Sequence, residues 1–361
     1  MKVRLVISPE NASWIIGKMC GRLADALLRA GVSATIAGQP DDNADINHWM
    51  SHSIVLQRAG RKSSVFITHV DDPYKTSHIA TVLRDRADVG LCMSRDMMRA
   101  LIERGIPAER LWYVLPAFDP PEEPRRIRIS IATRLYDDGR KREALLLKLA
   151  KECDLSSFHF EIAGLGWDEV VPRLEQGGAS VRWRAGSDDY QADHRDIIAS
   201  MRDCDFYLYL GMDEGSLGTL DALALGLKTI VTPQGFHLDI PGGISEPVVS
   251  YEDLRAVFDR LAKERNARIA SVSGWSWEQY ARDHVLVWDA LLRGQLPSSV
   301  EGEGRYTSAN ELAGPGLTRR SWSDYYKGLF SPGRALDALA RLKWIQPLRR
   351  IKARVMRAGR R

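Results

Sequence analysis

Along the first third of the chain, short apolar runs alternate with stretches patterned for helix. The runs are VRLVIS (3–8), SATIAG (33–38), SVFITHV (64–70), VGLCMS (89–94) and LWYVLP (111–116). They are apolar nearly throughout, as strands covered on both faces of a parallel sheet must be. Between the first two, Ile16, Cys20, Leu23, Leu27 and Ala30 recur at threes and fours. That spacing lays them along one helix face, and Gly31 is suited to end the helix. The pattern stops at FDPPEEPRR (118–126), which reads as a linker, and then restarts with RISIATR (128–134), FHFEIAG (158–164), ASVRWRAG (179–186), FYLYLG (206–211) and LKTIVTP (227–233). A helix over 275–292, WSWEQYARDHVLVWDALL, closes the second series. The expectation is an α/β chain of two doubly wound parallel-sheet domains facing a cleft, 1–120 and 121–292. A linker and a helical basic tail, 293–361, follow.

Composition changes this picture only at the end of the chain. With 361 residues, 44% hydrophobic and 27% charged, it is ordinary for a globular protein. No run approaches the length needed to span a bilayer, and MKVRLVISP enters a strand without the features of a signal peptide. The four cysteines, Cys20, Cys92, Cys153 and Cys204, are widely separated and read as small buried apolar residues of a reduced, cytoplasmic chain. The net charge is +4, but residues 341–361 hold nine Lys/Arg and no acid, so +4 less 9 leaves the body at −5. A mildly acidic body argues against nucleic acid as a partner. In 335–361, Leu336, Leu339, Leu342, Ile345, Leu348, Ile351 and Val355 recur at threes and fours with Lys/Arg between them and Trp344 among them. Such a segment suits an anionic membrane surface, or equally a helix packed on the body with a solvated basic face.

The chemistry concentrates in DEGSLGTLDALALG, 213–226, directly after FYLYLG. Ligands of doubly wound sheets bind at the carboxyl ends of strands, where this stretch lies. Its glycines permit a sharp turn, and TLDALALG reads as a helix ending at Gly226. The turn therefore presents unpaired N–H groups to an anion, and Asp221, about a turn in, can accept hydrogen bonds from vicinal hydroxyls. A nucleotide diphosphate on the amides and hydroxyls on the acids fit this pattern. So does a plain helix start, with Asp213 as the cap and Asp221 a solvated acid.

The order of strand, Asp213, Glu214, Gly215, Ser216, Leu217, Gly218, Thr219, Leu220, Asp221, Gly226, strand and Gly235 resembles the signature of GT-B retaining glycosyltransferases of family 4. WYVLPAFD, IATRLYDDGRK, IAGLGW, ASMRDCDFYLYLG and WSWEQYA resemble further landmarks of that family in the same order. The resemblance covers 1–292, strongly in the second half and weakly in the first. It implies two Rossmann-like domains and transfer of a sugar from a nucleotide-sugar donor to a glycan or lipid-linked acceptor, without a metal or other cofactor. It also implies that the backbone of Gly215, Ser216, Leu217, Gly218 and Thr219 holds the donor diphosphate, with Asp221 on the ribose. Asp213 or Glu214 touches the donor sugar, and Arg134 with Arg140 or Lys141 neutralises the leaving group. In the first domain it implies Gly17 near the phosphates and His69 near the sugar, with Asp71, Asp72, Asn47 and His48 of lesser rank. Both acids are Asp where the family has Glu, and Gly139 occupies the position of the family's Lys, which moves that role to Arg140 or Lys141. A nucleotide-sugar epimerase of the same fold, or a degenerate binding protein, is the alternative reading. Asp203-Cys204-Asp205 has the DxD form of metal-binding transferases of another fold, but it precedes a strand instead of ending one.

Overall fold

The computed structural model describes residues 1–69, 73–186 and 190–294. The basic tail 335–361 and the pair Asp71 and Asp72 lie outside the described residues. The chain divides into two compact units.

The first unit holds strands β1 (Lys2–Val6), β2 (Ser33–Ala37), β3 (Ile46–Trp49), β4 (Lys62–Ile67), β5 (Val89–Cys92) and β6 (Leu111–Tyr113), with α1 (Ile15–Arg29), α2 (Pro73–Asp85) and α3 (Arg95–Glu103) between them. All pairings are parallel, in the order β2-β1-β3-β4-β5-β6. The strand order reverses between β1 and β3. The predicted face of α1 is the buried one: Cys20, Leu23 and Leu27 lie within a core shared with Val3, Leu5 and Ile46. Gly31 takes φ 77° just past the helix, as its place in the sequence required.

The second unit, Phe118–Ser276, holds β7 (Ile127–Ala132), β8 (Phe158–Ala163), β9 (Ser180–Arg184), β10 (Phe206–Tyr209), β11 (Lys228–Val231) and β12 (Glu246–Pro247). Its helices are α4 (Glu143–Glu152), α5 (Val170–Gln176), α6 (Tyr190–Met201), α7 (Leu217–Ala224) and α8 (Tyr251–Ala270). The order is β12-β11-β10-β7-β8-β9, again parallel. Two doubly wound, Rossmann-like parallel sheets are thus both present, as the sequence pattern indicated. In this sheet the order reverses between β7 and β10, and the crevice at such a reversal is where open α/β sheets take their ligands.

The helix that closes the second series departs from the expected 121–292 domain. α9 (Trp277–Arg293) belongs to the first unit. Its buried residues Trp277, Tyr280, Ala281, Val287, Trp288 and Leu291 join the α1 core, and Trp288 Nε1–H donates to Ser64 Oγ of β4 at 2.8 Å. An amphipathic pattern states that one face is buried, and the packing partner is a tertiary matter. Asn47 and His48 also differ from expectation. They sit within β3, fully buried, not at its end. The Asn47 amide is bound to the backbone of Asp41 and Ala59, and His48 Nδ1 lies 2.9 Å from Ser64 Oγ, so both serve the core.

Candidate functional site

The loops after β7 and after β10 emerge on either side of the strand-order reversal. The first carries Arg134, Arg140 and Lys141, and the second carries the 213–219 turn. Met212 N–H donates to Arg140 O at 2.8 Å, which ties the two loops by their backbones.

The side chains tie them more tightly. Lys141 Nζ donates to Asp213 Oδ2 at 2.5 Å and to Tyr209 OH at 2.7 Å, and Tyr209 in turn donates to Asp213 Oδ1 at 2.5 Å. The lysine side chain is only 12% exposed. Burial raises the Asp213 carboxyl, but hydrogen bonds from Lys141 and Tyr209, with the lysine charge, outweigh it and hold the acid below its usual range. Burial, and then the bond to ionised Asp213, push Tyr209 up, so it remains a neutral donor. Asp213 is therefore a partner of Lys141, not the helix cap. Ser216 holds the N-cap position of α7 without a side-chain cap bond, because its Oγ is 2.7 Å from Tyr207 OH.

Glu214 points elsewhere. Its side chain is exposed and meets no partner among the described residues, while its carbonyl accepts from Phe236 N–H at 3.1 Å. Gln234 donates to the Asp213 carbonyl, so the segment after β11 underpins both acids. Asp221 faces α6: His194 Nε2 lies 3.2 Å from its Oδ2. It is a paired acid and not a lone solvated one.

Tyr136 gathers the cations. Its ring lies 4.0 Å from the Arg140 guanidinium, 5.7 Å from that of Arg134 and 6.0 Å from Lys141 Nζ. All three cations named from the sequence thus lie near one aromatic ring, each within reach of a cation–π attraction.

The turn's amides can be accounted for one by one. Gly215 N–H is 3.3 Å from Asp213 Oδ1, Ser216 N–H donates to His237 Nε2 at 3.1 Å, and Thr219 N–H donates to Ser216 O at 2.9 Å. Leu217 and Gly218 keep amides with no acceptor among the described residues. Of the five residues whose backbone was expected to face an anion, these two are disposed to do so.

Gly17 and His69 belong to the first unit. A Cβ on Gly17 would stand 1.9 Å from the Ala12 carbonyl oxygen, so its first duty is the close approach of the preceding turn to α1. His69 follows β4, exposed, with Nδ1 2.8 Å from Thr68 Oγ1 and its ring 6.5 Å from that of His52. The His78 ring lies 5.9 Å from that of His52.

Sequence reasoning missed Tyr136, Tyr207, Tyr209, His194 and His237. The two strand tyrosines carried a signal: residues two apart in a strand share a face, and polar hydroxyls in a buried run need partners. Asp205, of the DxD, accepts from Arg125 at 2.9 Å and from the backbone N–H of Arg128 at 2.9 Å, fastening the start of β7. Among the described residues no group of three or more His, Cys, Asp or Glu is placed to hold a metal ion.

No protein-family model matches the chain, and no curated protein matches it in sequence. Among solved structures, the chain is similar to HepE of Anabaena, crystallised with UDP and glucose, at 10% identity. That match spans 80% of this chain and 100% of the other, with a TM-score of 0.31. It is similar to the lipopolysaccharide outer core galactosyltransferase WaaB at 12% identity, over 82% of this chain and 100% of that one, TM-score 0.33. The catalytic domain of the cholesterol-α-glucosyltransferase of Helicobacter pylori matches at 14% identity, over 45% of this chain and 99% of its own, TM-score 0.30.

Proposed function

We propose that this chain is a glycosyltransferase of GT-B fold, resembling family 4, which moves a hexosyl group from a nucleotide sugar to a glycan or lipid-linked acceptor. One observation carries the reading. Lys141, after β7, and Asp213, after β10, are bonded to each other across the strand-order reversal, with Arg134 and Arg140 near the same Tyr136 ring and two open amides in the turn that follows Asp213. Cations and open backbone N–H groups on the two loops that flank a strand-order reversal are what a diphosphate leaving group needs.

In this reading the diphosphate lies on the amides of Leu217 and Gly218. Arg134, Arg140 and Lys141 meet the charge that develops as it leaves. Asp221 takes the ribose hydroxyls, its carboxylate oriented by His194. Glu214, exposed and without a partner among the described residues, takes the donor-sugar hydroxyls, whereas Asp213 holds Lys141 in place. The acceptor hydroxyl attacks the anomeric carbon, the glycosidic bond to phosphate breaks, and the configuration is retained. The chemistry uses no metal. The setting is cell-surface polysaccharide synthesis in the cytoplasm, at the inner membrane face through residues 335–361. Among the described residues no helix is long and apolar enough to cross a membrane.

The test is a thermal-shift screen against UDP, GDP, dTDP and CMP sugars. A donor at about 100 times its Kd should stabilise the native state by about 2.7 kcal/mol. Transfer is then followed with the responding donor. No response to any donor, or conversion of the donor without an acceptor, counts against the assignment, the second outcome in favour of an epimerase.

A further inference from the structure

His237 lies in the turn Gly235–Asp239 after β11, 1% exposed. Its Nδ1 is 3.0 Å from the Thr232 carbonyl oxygen, which can only accept, so Nδ1 carries the proton. Its Nε2 receives the Ser216 N–H at 3.1 Å, and an N–H can only donate, so Nε2 offers a lone pair. Thr219 Oγ1, 3.0 Å away, donates to the same nitrogen. The Thr232 and Ser216 contacts, from two segments, agree on one neutral tautomer, and the Thr219 hydroxyl is free to fit it. The ring is seated directly beneath the turn: Gly215 takes φ 110°, and a Cβ there would stand 3.0 Å from His237 Nε2 and Cδ2 and 2.8 Å from Phe236.

The consequence concerns which amides are open. A helix N-terminus ordinarily leaves its first N–H groups free. Here His237 removes Ser216 from that set, and Ser216 O takes Thr219 N–H. We propose that His237 is a positioning residue that selects Leu217 and Gly218 as the amides facing a donor diphosphate, and that it does so as the Nδ1–H tautomer. This rests on the reading of the turn as a diphosphate site. The acceptor on Ser216 must be a lone pair, since a second N–H at Nε2 would confront the Ser216 N–H donor to donor.

Two measurements on the full chain test it. Histidine labelled with ¹⁵N reports the tautomer by NMR, and a protonated Nε2 on neutral His237 overturns the proposal. The second compares the wild type with H237F and H237Q for binding of UDP, GDP, dTDP and CMP and for donor KM against kcat. H237F keeps the ring's bulk and loses all three bonds. It is expected to weaken nucleotide binding and raise donor KM about tenfold or more, the size of one lost hydrogen bond. In H237Q the side-chain oxygen reaches Ser216 N–H in place of Nε2, and affinity should return to within about threefold of wild type. Unchanged binding by H237F overturns the proposal. If H237F does not fold, a tenfold loss in natively folded H237Q does so. If the wild type binds none of the four nucleotides, the glycosyltransferase reading fails instead, and the tautomer still decides the geometry.

Discussion

His48 and His284 in the first unit are fully buried, and each leaves Nε2 without a partner among the described residues. His237 in the second unit is buried almost as deeply, and both its nitrogens are bound. The first pair packs ring against ring at 5.2 Å, beside Trp288 and Tyr280, and fastens α9 to β3. The other ring lies beneath the turn that follows β10, at the strand-order reversal. A buried polar group that lacks partners costs stability, whereas one with every bond made fixes a single backbone geometry. The difference teaches where precision is concentrated. The first unit tolerates two half-satisfied rings in its core, and the second satisfies both nitrogens of the ring beneath the candidate turn.

The largest effect should come from the second unit. Lys141→Met removes the cation that links the two loops and should lower sugar transfer about 10²–10³-fold, with little change in Tm. Equal transfer rates for variant and wild type would break the contrast between a precise site and a tolerant core. Next is acid stability, which belongs to the first unit. Burial lowers His284 from 6.5 to about 4, and burial also holds His48 well below its ordinary value. The unfolded chain binds the proton first, so the stability is full above about pH 6.5 and is lost as the pH falls toward 4, by about 3 kcal/mol for His284 alone. Denaturant titrations over that range check this, and H284L should flatten the slope. Gly17→Ala comes third. The Ala12 carbonyl blocks the new methyl, so the backbone must shift, at a cost of about 1–3 kcal/mol visible in Tm. Smallest is Tyr136→Leu. It disperses the three cations and should weaken nucleotide binding by about 0.5–1 kcal/mol, a few-fold in Kd by calorimetry.

Much of this was legible in the sequence. Central strands covered on both faces leave continuous apolar runs, which is why both sheets could be read from FYLYLG and its counterparts. The 213–226 turn was legible because glycine, helix formers and acids each have local reasons to stand there. Arg134, Arg140 and Lys141 were found through a resemblance, and the structure brings them to one ring. The role of Asp213 was not legible, because its partner stands 72 positions earlier. Nor was His237, whose meaning depends on a turn that brings it under Ser216 across 21 positions. The destination of α9 escaped for a similar reason: its pattern names a buried face and not the surface that buries it.

That destination has a consequence for how the chain is made. The second unit begins at Phe118 and ends at Ser276, and Phe118 N–H donates to Trp275 O at 3.2 Å, so its two ends lie side by side like the neck of a loop. The first unit cannot bury Trp288 or complete its α1 core until residues beyond the second unit have been synthesised. On the ribosome, then, the half that starts second is the half that finishes first, and the half that starts first waits with an open flank for its last helix.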